Sequence, residues 1–235
     1  SDIDSPTSNS IGENIGYLVD GTFGWLGVWG QKQKIKQEKY LEEFKEEINR
    51  NIEAIPQENL KDPIMYIVGP AIEASKYYYE EEQFKEMFAK LITASCDNRK
   101  TDKISPYFVD IIKQLTPNDA AVLSVFKDSS ILAIVNYYLK YKNNKGNYTY
   151  NPYVFTHDAI SNDIDLNSIS IANLIRVGLL TVDFNRNIID TSCYDKYYNI
   201  PVYLQLKEKI KANPNSKYQT IKIKKGVVEL TQLGK

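Results

Sequence analysis

The sequence is poor in the residues from which active sites and metal centres are most often built. His157 is its only histidine, and Cys96 and Cys193 are its only cysteines in 235 residues. One imidazole excludes a multi-histidine metal site and a triad with a spare base. It leaves His157, beside Asp158, as a lone base with no nucleophile placed by a motif, and so a loop or surface residue. Neither cysteine lies in a CxxC or beside a histidine, which argues against structural zinc and a disulfide framework, and two lone thiols suit a reducing cytosol. No catalytic residue, cofactor or metal ligand is expected. Charge of one sign is not in excess either: 29 Lys and Arg face 30 Asp and Glu, a formal net charge of −1. A chain whose main task is to coat phosphate backbones would carry more cations, although local basic patches are compatible with this balance. No basic head followed by an apolar run and a small-residue cleavage site marks a secretory signal. The apolar stretch 15–30 is interrupted by Asp20 and falls short of the roughly 20 apolar residues of a spanning helix. A cytoplasmic chain is expected, with contact at the inner face of the membrane as the furthest it would reach.

What is present is an ordinary globular composition, 43% hydrophobic and 25% charged, with 18 tyrosines. Residues 1–10 are polar and read as a flexible lead-in. In QKQKIKQEKYLEEFKEEINRNIEAI, Leu41, Phe44, Ile48, Ile52 and Ile55 recur at three and four, the pattern of an amphipathic helix, and Pro56 lies past its end. Asp62-Pro63 and Gly69-Pro70 punctuate the next stretch into short helices. Phe84, Met87, Phe88, Leu91 and Ile92 form the stripe of a helix whose first turn holds Glu80, Glu81 and Glu82. These carboxylates, with Glu73, are read as partners of the helix dipole and not as metal ligands. Ser105-Pro106 and Thr116-Pro117 each set a capping hydroxyl before a proline suited to a first helical turn, and each predicts a helix.

After Ser130 the texture changes. SILAIVNYYLKYK fits helix or strand, and the turn-rich NNKGNYTYNP marks a boundary. Beyond it the pattern predicts a helix from Ser168 that stops at Gly178, a hairpin from LLTVDF and IID, a lysine-rich helix 202–212, and a closing hairpin around Lys225-Gly226. The expected fold is therefore α+β, mostly α. A lead-in with a Gly/Trp-rich apolar segment spans 1–30, a helical domain 31–142, and a winged-helix-like α+β module 143–235.

GTFGWLGVWG, residues 21–30, holds the densest glycine in the chain together with both tryptophans. Small residues permit close helix approach and tryptophan favours bilayer interfaces. Gly21, Gly24, Gly27, Trp25 and Trp29, followed by Lys32, Lys34 and Lys36, are thus candidates for contact with a membrane surface or a partner. The bland reading is that the segment packs in a groove of the helical domain or in a homo-oligomer interface. In the C-terminal module, SISIANLIRV as a recognition helix would present Asn173 and Arg176, with Ser168 and Ser170 at its start. Lys222, Lys224 and Lys225 of the closing segment would touch phosphates, as would Lys207, Lys209 and Lys211, although lysines on a helix are usually a solvated face.

Several phrases in order, namely IPQENLKDPIMYIVGPAIEASKYYYEEEQFKEMFAKLITASCD, ISPYFVDIIKQLTPNDAAVL, SIANLIRVGLL and VELTQLGK, resemble the abortive-infection alpha family of bacterial antiphage proteins, often carried on mobile elements. The resemblance covers about residues 50–235. It implies an antiphage protein of the abortive type, with no catalytic residue to carry over; the partner expected for such a protein is an unknown phage or host protein. Such proteins often have a histidine where this chain has Ser105, which puts a metal or proton-transfer role at that position in doubt. Two readings follow. One is a non-enzymatic defence protein that acts through protein or membrane contact, with residues 11–30 as a concealed effector. The other is a winged-helix DNA-binding regulator of a mobile element.

Overall fold

The computed structural model describes residues 6–23, 31–143 and 146–234, with residues 31–34 described by their backbone alone. By contact density the chain divides into two compact units, Ser1–Pro117 and Asn118–Lys235. The turn-rich stretch 143–152 lies within the second unit, in the connection between its first two strands and the second strand itself.

The first unit is helical: α1 (Ser8–Phe23), α2 (Gln31–Glu53), α3 (Met65–Ser75), α4 (Glu82–Ala94) and α5 (Tyr107–Lys113). α1 begins inside the stretch expected to be a flexible lead-in. Thr7 Oγ1 accepts the Ser10 N–H at 3.2 Å while Ser10 Oγ accepts the Thr7 N–H at 3.1 Å. This reciprocal cap satisfies two amides that the first turn leaves open. α1 buries Ile11, Ile15, Val19 and Phe23 at helical spacing. Its Gly12 lets α2 approach, because a Cβ there would lie 2.5 Å from Asn49 Oδ1. Asp20, which interrupts the apolar run, pairs with Lys45 of α2 at 2.7 Å. α2 turns Tyr40, Phe44, Ile48 and Ile52 inward, and the Tyr40 hydroxyl donates to the Ser75 carbonyl at 3.2 Å.

α3 is an 11-residue helix that continues through Gly69-Pro70, one of the two points expected to punctuate this stretch. Pro70 removes one helical N–H, but Ile67, Val68, Ala71 and Ile72 around it are buried, and that apolar packing holds the turn. Of Glu80–Glu82 only Glu82 lies in the first turn of α4, with Glu81 at the N-cap and Glu80 before it; salt bridges tie Glu80 to Lys36 and Glu82 to Lys85. Buried Lys85 reaches both Glu43 and Glu82 at 2.7 Å.

The second unit begins one residue into α6 (Pro117–Ser124) and is built on an antiparallel sheet of β1 (Ile131–Tyr141), β2 (Asn147–Val154), β3 (Leu180–Asp183) and β4 (Tyr218–Leu230), in the order β2-β1-β4-β3. α7 (Ile164–Arg176) and α8 (Pro201–Ala212) connect its strands. The segment that fitted helix or strand is β1, whose Val135, Tyr137 and Leu139 alternate into the core. α7 starts four residues before Ser168, because Asp163 caps it by accepting the Asp165 and Leu166 N–H groups at 3.0 Å. Gly178, at φ +78°, ends that helix as expected.

Neither expected C-terminal hairpin forms. Residues 188–190 take no strand: Asp183 turns the chain by accepting the Asn185 N–H at 2.7 Å, Ile188 packs against the tyrosine-rich core with its N–H on the Tyr194 hydroxyl at 3.0 Å, and Ile189 is fully exposed. Lys225-Gly226 is not a turn but the middle of the continuous β4, which pairs with β1 from Tyr218 to Glu229. Gly226 serves close approach: a Cβ there would lie 2.5 Å from Phe184 Cδ1 and 3.0 Å from the Asp183 carbonyl.

One face of the sheet carries a tyrosine-rich core. Tyr137, Tyr194 and Tyr197 are buried with Tyr203, and their hydroxyls go to backbone carbonyls: Tyr197 to Ala133 at 2.7 Å, Tyr194 to Gly226 at 2.8 Å and Tyr137 to Tyr197 at 2.5 Å. Buried hydroxyls require such partners. These bonds clamp the 3-10 stretch Thr191–Tyr198 to β1 and β4.

Candidate functional site

The chemistry-bearing groups singled out in the sequence mostly bond within the fold. His157 Nδ1 accepts the Ala159 N–H at 3.2 Å in a local turn. Glu80 pairs with Lys36, Glu82 with Lys85 and Glu73 with Lys76. The proposed readers of α7 are likewise engaged: Asn173 Nδ2 donates to buried Asp119 at 2.6 Å, and the Arg176 guanidinium donates to Asn173 Oδ1 at 2.7 Å. Ser168 donates to the Pro152 carbonyl and Ser170 accepts from Asn118. Lys207, Lys209 and Lys211 are exposed along α8, with Lys207 6.0 Å from the Tyr203 ring centre. Among the described residues, no cluster of three or more His, Cys, Asp or Glu is arranged to hold a metal ion.

Of the Gly/Trp segment and its lysine flank, Gly21 occupies the last turn of α1, exposed, with space for a Cβ. Lys36 is exposed on α2, and its bond to Glu80 raises its pKa. Gly24, Trp25, Gly27, Trp29 and the side chains of Lys32 and Lys34 lie outside the described residues. No described helix is long and apolar enough to cross a membrane.

The pairing register of the sheet assembles a different surface. Directly opposed residues of paired strands share a face, and the face changes at every residue. On β1 this places Asn136, Tyr138 and Lys140 opposite to the core-facing Val135, Tyr137 and Leu139. Lys224, Lys222 and Thr220 of β4 stand beside them in that order, and Thr149 and Asn147 of β2 flank Tyr138 and Lys140. Lys225 belongs to the other face, where its ammonium lies 5.0 Å from the Tyr194 ring centre. The three lysines taken together in the sequence are thus split two and one.

Two more rings join this face. Phe184, just after β3, lies over Gly226. Tyr153 stacks on it, with ring centres 6.2 Å apart and planes at 27°, and Lys224 Nζ stands 6.0 Å from the Phe184 ring centre. Tyr153 follows the irregular β1–β2 register and has φ +53°, in the left-handed region that a bulky side chain rarely enters. Asn136 holds it there: its Oδ1 accepts the Tyr153 N–H at 2.8 Å, and its Nδ2 donates to the Tyr138 hydroxyl at 3.3 Å. One buried amide therefore fixes both tyrosines.

α8 packs on β4, α7 contacts β2 and β3, and the 3-10 stretch Thr191–Tyr198 packs on β1. Tyr138, Tyr153, Phe184 and Lys140 remain half-buried, while Lys222, Lys224, Thr149 and Asn147 are exposed. The rows formed by Asn147, Lys140 and Thr220, by Thr149, Tyr138 and Lys222, and by Asn136 and Lys224 contain no carboxylate. At the β2 margin Asp165 accepts from Asn151 at 2.9 Å. The result is a sheet face that is covered over Ile134 and Asn136 of β1 and open at Lys222, Lys224, Thr149 and Asn147, with three rings, three ammonium groups and neutral hydrogen-bonding groups between them. Sequence reasoning found Lys222 and Lys224 but missed Tyr138, Tyr153 and Phe184. The available signal was the alternation of β1, once that segment is read as a strand.

Against known proteins, a family model described as abortive infection alpha matches residues 36–235, leaving α1 outside the matched region. No curated protein and no solved structure matches the chain significantly.

Proposed function

Because the chain belongs to the abortive infection alpha family, whose description points to an antiphage role, we propose that it defends by binding, without catalysis, and works through the open face of its C-terminal sheet. The observation that carries this reading is the composition of that face. Lys222 and Lys224 project from β4 beside half-buried Tyr138, Tyr153 and Phe184, whereas Glu73, Glu80 and Glu82 of the first unit and Asn173 and Arg176 of α7 are bonded within the fold. Binding surfaces of this kind place a few polar groups around rings that offer area at low entropic cost.

Two other readings have less support. Within the 11–30 segment, residues 11–23 direct Ile11, Ile15, Val19 and Phe23 into the helical unit, which leaves that apolar stripe covered. A recognition role for α7 would need Asn173 to leave Asp119 and Arg176 to leave Asn173.

The test is a phage challenge of cells carrying the intact gene, the Lys222→Glu/Lys224→Glu double variant, or His157→Ala. Protection is expected to disappear in the double variant, with plaque counts like those of cells lacking the gene, and to persist in His157→Ala. Full protection by a folded double variant would overturn the reading.

A further inference from the structure

We propose that the ligand of the open sheet face is a single-stranded nucleic acid; this rests on that face being the working surface. Three features of the site select this chemistry. The first is the rings. Every base has a π-face, so aromatic side chains standing at a sheet surface accept unpaired bases with little regard to sequence. Tyr138, Tyr153 and Phe184 stand at this face, and the Phe184–Tyr153 pair is already ordered by its own stacking. In a duplex the bases are already stacked on one another and the grooves show only edges, which these rings cannot engage.

The second feature is the position of the charges. Lys222 and Lys224 lie two residues apart on one face of β4, a spacing of about 6.6–6.8 Å. That is close to the separation of neighbouring phosphates in an extended strand. Lys140 adds a third cation on β1, opposite Thr220. A strand running along β4 would set its phosphates on these ammonium groups and turn its bases toward the rings on β1, β2 and the end of β3. The exposed Thr149 and Asn147 stand where base edges would need donors and acceptors. A protein partner is the poorer fit, because lysine is depleted in the cores of protein interfaces.

The third is the backbone of Tyr153. A tyrosine at φ +53° is strained, and the strain persists only because Asn136 and the Phe184 stack hold it. Outliers of this kind cluster at ligand sites, where the strain pre-sets a side chain for its partner. Here it holds the Tyr153 ring on the face with Phe184.

The experiment uses the purified full chain and fluorescein-labelled oligonucleotides of about 12 residues, within the usual footprint of such platforms. One is deoxythymidine, one a mixed-sequence RNA and one a DNA hairpin duplex. Anisotropy titrations are run between about 50 and 200 mM salt, and circular dichroism confirms the fold of each variant. With three lysines and about 0.7 counterions released per contact, the log–log salt slope should be near −2, a roughly 20-fold loss of affinity across that range. Lys222→Ala/Lys224→Ala should flatten the slope to about −0.7. Tyr138→Leu should weaken binding by about 5-fold or more at an unchanged slope, and Tyr138→Phe should bind like the parent. The RNA and DNA arms separate the two sources of the same chemistry.

Failure to bind either single strand at low salt, or preference for the hairpin duplex, would overturn the proposal, and so would affinity indifferent to both substitutions. If protection from phage is lost in the lysine variant but no single strand binds, the ligand is wrong while the working surface stands. If single strands bind through this face but protection survives its substitution, the ligand stands and the working surface is wrong.

Discussion

Tyr153 gives an opportunity to separate backbone strain from side-chain contact at one position. Its φ of +53° lies where an L-residue with a Cβ pays roughly 1–2 kcal/mol and glycine pays almost nothing. Its ring contributes a stack on Phe184, of the order of 0.5–1.5 kcal/mol. Tyr153→Ala discards the ring and keeps the strain. Tyr153→Gly discards the same ring and releases the strain, while the backbone N–H that Asn136 accepts is present in both. The glycine variant should therefore be the more stable of the two by about 1 kcal/mol, and within about 1 kcal/mol of the parent. At an ordinary strand position the order is reversed, with glycine about 0.5–1 kcal/mol below alanine. Urea unfolding midpoints of the three proteins decide the sign. An alanine variant as stable as the glycine variant, or more so, would refute the claim that the fold holds a strained tyrosine here.

The remaining predictions concern the supports of the site and the first unit. Gly226→Ala should destabilise the chain by about 1–3 kcal/mol in urea, because the new Cβ meets the Phe184 ring and the Asp183 carbonyl; stability unchanged from the parent would contradict this close packing. Tyr197→Phe should cost about 1 kcal/mol, through loss of the hydroxyl bond to the Ala133 carbonyl, without altering the open face. Asp97 is buried, and its hydrogen bonds from the Arg99 guanidinium hold its pKa below the ordinary value near 4. A depressed carboxylate contributes stability that is complete above its unfolded pKa and lost as pH falls through its folded one. Parent stability should therefore decline below about pH 4 more steeply than that of Asp97→Asn, and parallel urea-midpoint curves for the two proteins would contradict the assignment.

Much of this architecture could be read from residue order, and the failures have local causes. The stripes Phe44, Ile48, Ile52 and Phe84, Phe88, Ile92 are buried as their spacing requires, since helical periodicity reports burial directly. The phrases around Thr116-Pro117 led to the family whose model matches the chain. The cap at Thr7 escaped because its reciprocal partner is Ser10, not the glutamate or glutamine of the usual capping box. Lys225-Gly226 looked like a hairpin turn because glycine beside a polar residue signals a turn locally. Whether that glycine serves a turn or the approach of Phe184 is decided by a ring 42 positions away. The same limit hid the open face. Tyr138, Tyr153, Phe184 and Lys222 come from separate stretches of sequence, and only the register of β1 against β2 and β4 brings them to one surface. Strand alternation likewise places Lys225 on the face opposite to Lys222 and Lys224.

The most direct test of the account is ultraviolet crosslinking in phage-infected cells that express the chain, followed by mass spectrometry of the peptides left carrying nucleotide. The account predicts adducts on the peptides that contain Tyr138, Tyr153 or Phe184, increasing on infection and absent from cells expressing the Lys222→Glu/Lys224→Glu variant. Adducts confined to α7 or α8, or none above the level of an unrelated control protein, would contradict it.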